Sequence, residues 1–144
     1  MKWIILGWLL LFLIACQQTE KKYDPPVSNQ GDKVRIQLIS DQVANGPHYP
    51  LKKPITMEVQ DQEEFSVLTV KNKTDFPLEV FLEGPTYRCV KLRAEQSQDI
   101  SLDPGTYYIV VVFESNNKAP GFVEGNFQGG GQYLLHIHYP AFFD

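Results

Sequence analysis

An all-β sandwich is the fold class this sequence predicts, and three observations predict it. Apolar and polar residues alternate over short stretches, as in 34–39 (VRIQLI) and 77–83 (PLEVFLE). Gly, Pro, Asn and Asp punctuate these stretches at spacings of roughly 8–12 residues. No window of useful length shows apolar residues at i, i+3, i+4 and i+7, so little helix is expected. The 144 residues carry a net charge of −4 with 43% hydrophobic and 21% charged residues, a globular balance that excludes collagen-like, coiled-coil and wholly disordered chains. The mild acidity argues against a nucleic-acid partner, which leaves a basic footprint.

Eight strands follow in order from this pattern. Residues 34–39 put Val34, Ile36 and Leu38 on one face, and 55–59 and 65–71 continue, the latter rich in β-branched residues. In 77–83, Leu78, Val80 and Leu82 share a face opposite Glu79, Phe81 and Glu83. Gly84-Pro85 marks a turn before 87–92, and a short strand at 100–102 ends on Asp103-Pro104-Gly105. Residues 106–113 (TYYIVVVF) are apolar on both faces, as a central strand is. The last strand, 132–139, sets Tyr133, Leu135, Ile137 and Tyr139 against Leu134, His136 and His138. The glycine-rich stretch 119–131 lacks phosphate-loop spacing and reads as a hairpin tip between the last two strands, with Phe122 and Phe127 either tucked over the sandwich end or exposed there as contact residues. Asn72-Lys73-Thr74 matches an N-glycosylation pattern and reads as the turn after the third strand.

The segment Leu102-Asp103-Pro104-Gly105-Thr106-Tyr107 resembles the E–F corner of immunoglobulin-like domains, in which a tyrosine just inside strand F bonds back across the turn. The resemblance implies an immunoglobulin-like or fibronectin-like sandwich of seven to eight antiparallel strands, with Tyr107 as the corner tyrosine. An antibody-type domain is excluded, because the part after the leader holds no tryptophan and Cys89 has no partner for an intradomain disulfide.

Ahead of this domain, Lys2 and the apolar run 3–15 (WIILGWLLLFLIA) make a signal-type segment. The run is too short for the roughly 20 residues that span a bilayer. Leu13-Ile14-Ala15-Cys16 resembles the lipobox of bacterial lipoproteins. That resemblance implies cleavage before Cys16 and a diacylglycerol on its thiol. Gln17 differs from the aspartate of the family's inner-membrane sorting rule, so outer-membrane attachment is expected. The organisation is therefore a signal peptide over 1–15, a lipid-anchored flexible tether over 16–32 and a β-sandwich over 33–144. A flexible tether of this length has an r.m.s. reach of about 20 Å.

Candidate chemistry is sparse. His136 and His138 project from one face of a strand at a spacing that lets two imidazoles share a Zn or Cu ion, with His48 and Cys89 as the remaining soft ligands. The same pair also fits a half-solvated outer sheet face. The long connection 40–54 presents His48, Tyr49, Lys52 and Lys53, a mixture suited to recognition and equally to a plain link between sheets. Cys89 reads as a small half-buried hydrophobe, an intermolecular partner or a reactive thiol. No serine-hydrolase elbow, HExxH or CxxC motif occurs. The sequence leads to a non-enzymatic, lipid-anchored envelope protein that binds or supports an envelope protein or glycan through its loops, without a required cofactor. Metal binding through His136 and His138 is an alternative. A hydrolase or glycan-binding module with exposed tyrosines is a further one, which calls for a cleft lined by two coplanar aromatic rings.

Overall fold

The computed structural model describes residues 23–59, 64–115 and 117–139. After a 3₁₀ turn (Gln30–Asp32) come one helix, α1 (Lys33–Asn45), and nine strands. The strands are β1 (Tyr49–Pro50), β2 (Ile55–Val59), β3 (Ser66–Asn72), β4 (Leu78–Glu83), β5 (Arg88–Leu92), β6 (Ser97–Leu102), β7 (Gly105–Phe113), β8 (Gly121–Phe127) and β9 (Gly131–Ile137). They form a sheet of five in the order β1-β8-β7-β4-β5 and a sheet of four in the order β2-β9-β3-β6. The two sheets pack as a sandwich.

Alternation explains the core. Leu78, Val80 and Leu82 of β4 and Tyr107, Ile109, Val111 and Phe113 of the central strand β7 face Leu68 and Val70 of β3 and Leu135 and Ile137 of β9. Each end of this core is closed by three aromatic rings. Tyr49, Phe113 and Tyr139 meet at centroid separations of 5.1–6.2 Å at one end, and Tyr107, Phe127 and Tyr133 at 4.8–5.6 Å at the other. At the corner before β7, the Tyr107 hydroxyl donates to the carbonyl of Asp103 at 2.6 Å. It also accepts the Thr86 N–H at 3.1 Å. Gly105 adopts φ 145°, which a side chain would strain, and a Cβ there would lie 2.7 Å from the Pro85 ring.

Four expectations need correction. The stretch 34–39 is helix, not strand: Ile36, Ser40 and Val43 are buried with Ile39 beside them, a spacing of i, i+3, i+4 and i+7. The third contact is a serine, and Val34 and Leu38 lie exposed on the far side, so the apolar pattern concealed the helical period. The glycine-rich stretch contains the full strand β8, in which Gly121, Val123, Gly125 and Phe127 alternate inward. Its connection to β9 is a crossover between sheets rather than a hairpin, and Phe127 is buried in the sandwich core whereas Phe122 lies half-buried on the outer face of the sheet, against the cluster beneath α1. Finally, the strands are not all antiparallel, since β1 runs parallel to β8 and β9 parallel to β3.

Helix α1 lies on the outer face of the five-stranded sheet, where Ile36 and Val43 cover Phe81 and Val110. Within the stretch read as tether, Ser28 and Asn29 hydrogen-bond along the free edge of β5. The Asn29 N–H donates to Tyr87 O at 2.6 Å, the Asn29 Oδ1 accepts the Cys89 N–H at 3.1 Å, and the Ser28 hydroxyl accepts the Tyr87 N–H at 2.8 Å. These contacts satisfy backbone groups that an edge strand otherwise leaves open to another chain. Among the described residues no helix is long and apolar enough to cross a membrane. The leader, the Leu13-Ile14-Ala15-Cys16 segment and the terminal Phe142-Phe143 pair lie outside the described residues.

Candidate functional site

The chain leaves α1 at Gly46, adds β1 to the margin of β8, and crosses through Lys52-Lys53-Pro54 to β2 in the other sheet. Because β1 covers only Gly121 and Phe122, the rest of β8 faces an open cleft at the side of the sandwich. This cleft of about 350 Å³ is lined by Lys53, Thr56, Glu124, Asn126 and Tyr133 among others. Alternation along β8 sends Phe122, Glu124 and Asn126 outward.

Beside this row, on β7, stands Tyr108, 44% exposed. It is in register with Glu83 of β4 on one side and Glu124 of β8 on the other. Among the described residues neither glutamate has an ion-pair or hydrogen-bond partner. The rings of Tyr108 and Phe122 are nearly parallel, at an interplanar angle of 24° and a centroid separation of 5.7 Å. That separation is too long for a face-to-face sandwich, so the rings are slipped; Tyr108 keeps an exposed face, whereas Phe122 is half-buried and packs also against the Ile36, Val43, Phe81 and Val110 cluster beneath α1. His48 leans against Phe122 at 5.3 Å. Its Nδ1 lies 2.9 Å from Gly46 O, which assigns the ring proton to Nδ1 and leaves Nε2 as an acceptor in the neutral ring.

The structure therefore divides the loop residues singled out from sequence. His48 and Lys53 border the aromatic row and the cleft, and Lys52 is exposed. Tyr49 is only 1% exposed and belongs to the core, with its hydroxyl donating to His138 O at 3.1 Å, so it presents no surface. Tyr108, Glu124 and Asn126 were not foreseen as a site, and Phe122 was foreseen only as a contact at a hairpin tip. Their signal was present in the outward rows of 106–112 and 121–127, but reading the second stretch as a loop erased its alternation.

His136 and His138 lie in and just beyond β9, in the opposite sheet from His48, with ring centroids 6.1 Å apart and nearly perpendicular. Lys71 is in register with His136. Loss of hydration, reinforced by Lys73, His138 and Lys71, lowers the pKa of His136. Among the described residues no three of His, Cys, Asp and Glu come together as a metal site.

Cys89 sits beneath α1. Its thiol is 2.7 Å from Glu79 Oε1, and Arg35 donates to both oxygens of that carboxylate at 3.1 and 3.4 Å. Burial, and then the hydrogen bond and charge of Glu79, push the thiol pKa up to about 12. A thiol so protonated is a poor nucleophile. Glu79 and Arg35 form a latch between the sheet and the helix, with the thiol as a donor at its margin.

No protein-family model matches the chain, and no curated protein is similar to it.

Proposed function

We propose that this chain is a lipid-anchored cell-envelope protein whose sandwich presents a non-enzymatic binding or structural surface. The observation that carries the reading is Leu13-Ile14-Ala15-Cys16 at the abrupt end of a thirteen-residue apolar run, followed by a fully polar stretch. A lipid there anchors the chain by about 0.8 kcal/mol per buried CH₂, and two or more acyl chains anchor it stably. The surface that the sandwich would present is the margin of β8, where His48, Lys53 and the aromatic row meet, across the five-stranded sheet from the β5 edge along which the chain arrives. The outer membrane is the favoured location, on the strength of Gln17.

The immunoglobulin-like or fibronectin-like assignment belongs to the same proposal. The Tyr107–Asp103 hydrogen bond supports it, as does a sheet in which β7 lies between β4 and β8. Insertion of β9 between β2 and β3 is a departure from that plan.

Mass spectrometry of the N-terminus of the native product tests the anchor. A chain beginning at an acylated Cys16 is expected, and Cys16→Ser should shift the protein from the membrane to the soluble fraction. An intact Met1 or an unmodified Cys16 overturns the reading.

A further inference from the structure

We infer that the exposed ring of Tyr108, backed by Phe122, and the adjoining side cleft form a binding site for a neutral glycan chain, an inference that rests on the surface-binding reading above. Sugar rings combine a flat C–H face with hydroxyls around the rim. They are held by aromatic faces beside side chains that both donate and accept hydrogen bonds. This arrangement is present here: the exposed ring of Tyr108, backed by half-buried Phe122 at 5.7 Å, is in register with Glu124, which lines a cleft together with Lys53, Thr56 and Asn126. Lys53 supplies donors, Glu124 acceptors, and Thr56 and Asn126 both.

Charge selects among possible occupants. Glu83 and Glu124 flank Tyr108 and disfavour a polyanion, while Lys53 in the cleft wall disfavours a strongly basic chain. A polyhydroxylated ligand without net charge meets neither penalty. The cleft volume of about 350 Å³ falls in the range of roughly 300–1,000 Å³ typical of small-molecule sites. Its open side lets a longer chain continue past it.

Calorimetric titration of the full-length chain in detergent micelles, with maltohexaose, cellohexaose and chitohexaose as probes and heparin and oligolysine as charged controls, tests this inference. At least one neutral oligosaccharide should bind with a Kd of about 1 mM or tighter. Tyr108→Ala and Glu124→Gln should each weaken it about tenfold, and His136→Ala, outside the cleft lining, should not. Tyr108 is exposed, so its variant should fold; a thermal melt checks this, and Asn126→Ala supplies a second probe of the site. Failure of all three neutral probes, binding of the charged controls alone, or binding that Tyr108→Ala leaves unchanged overturns the inference. An acylated Cys16 without sugar binding sinks the glycan site and leaves the anchored protein standing. Sugar binding by a chain with unmodified Cys16 does the reverse.

Discussion

The hydroxyl of Tyr107 shows how much a single polar atom can fix in an apolar sandwich. It donates to Asp103 O, accepts the Thr86 N–H, and thereby ties the entry of β7 to the turn before β5. The Thr86 hydroxyl adds a second tie, donating to the Asp103 carboxylate at 2.9 Å and accepting the Asp103 N–H at 3.0 Å. Tyr107→Phe keeps the ring and removes one donor and one acceptor, leaving a buried N–H unsatisfied. Destabilisation of about 1–3 kcal/mol is expected in a urea melt. This corner was legible in advance because a tyrosine after Asp-Pro-Gly is a local pattern. Asn72 was not legible in the same way. Fully buried, it donates to Phe76 O and Arg93 O and accepts from the Thr74 N–H and hydroxyl, so its amide is committed internally and is not offered for glycosylation. Cys89 lies between these two cases. Its position on a half-buried row could be read from alternation, but Glu79 and Arg35 reach it only through the fold. With a thiol pKa near 12, the thiolate fraction at pH 8 is on the order of 10⁻⁴, so iodoacetamide should label the native protein far more slowly than the urea-unfolded chain. Glu79→Gln removes a charge that holds the proton on sulfur and should accelerate native-state labelling, measured by mass spectrometry.

At the level of elements, α1 is where sequence and structure part. Strand periodicity and helical periodicity overlap in VRIQLI, and the deciding residue is Ser40, a polar side chain occupying a core-facing position. The helix owes its stability to packing on the sheet rather than to its composition, which includes exposed Val34 and Leu38. Two contacts carry the docking. Ile36 is fully buried over Phe81 and Val110, and the Arg35 guanidinium pairs with Glu79 while lying 5.2 Å from the Phe81 ring centroid. Ile36→Ala should cost about 2–4 kcal/mol, because the rigid sheet beneath cannot collapse into the space left. Arg35→Ala should cost only about 1 kcal/mol, since the ion pair is half-exposed and solvent screens it. If α1 instead contributed little, both variants would melt with the wild type. The strands were far more readable: seven of the stretches read as strands overlap β2–β7 and β9, because alternation survives wherever one face meets the core. β1 escaped because two residues carry no period, and β8 because its inward glycines mimic a loop.

For the whole molecule, the sandwich follows from the number and spacing of its strands, but the order of strands does not. The insertion of β9 beside β3 and the joining of β1 to β8 are set by long-range pairing that no local signal encodes. The same assembly determines the pH range in which the fold is stable. On the acid side, His136 has a lowered pKa through loss of hydration, reinforced by Lys73, His138 and Lys71. The unfolded chain therefore binds this proton more readily, and stability is lost as pH falls from the ordinary value of 6.5 through the lower folded value. On the alkaline side the groups are neutral when protonated and their pKa values are raised. Burial lifts Cys89 from 9.0 to about 12, and burial likewise lifts Tyr49 and Tyr107 above 10.0. There the unfolded chain releases its protons first, so stability is fully present below about pH 9 and declines above it. Urea midpoints measured across the pH scale should thus form a plateau between roughly pH 7 and 9 with a falling limb on each side. Cys89→Ala should move the onset of the alkaline decline upward toward the tyrosine range, and His136→Gln should flatten the acid limb. A decline that begins at the same alkaline pH in Cys89→Ala as in the wild type would show that the thiol is solvated and that α1 does not cover it.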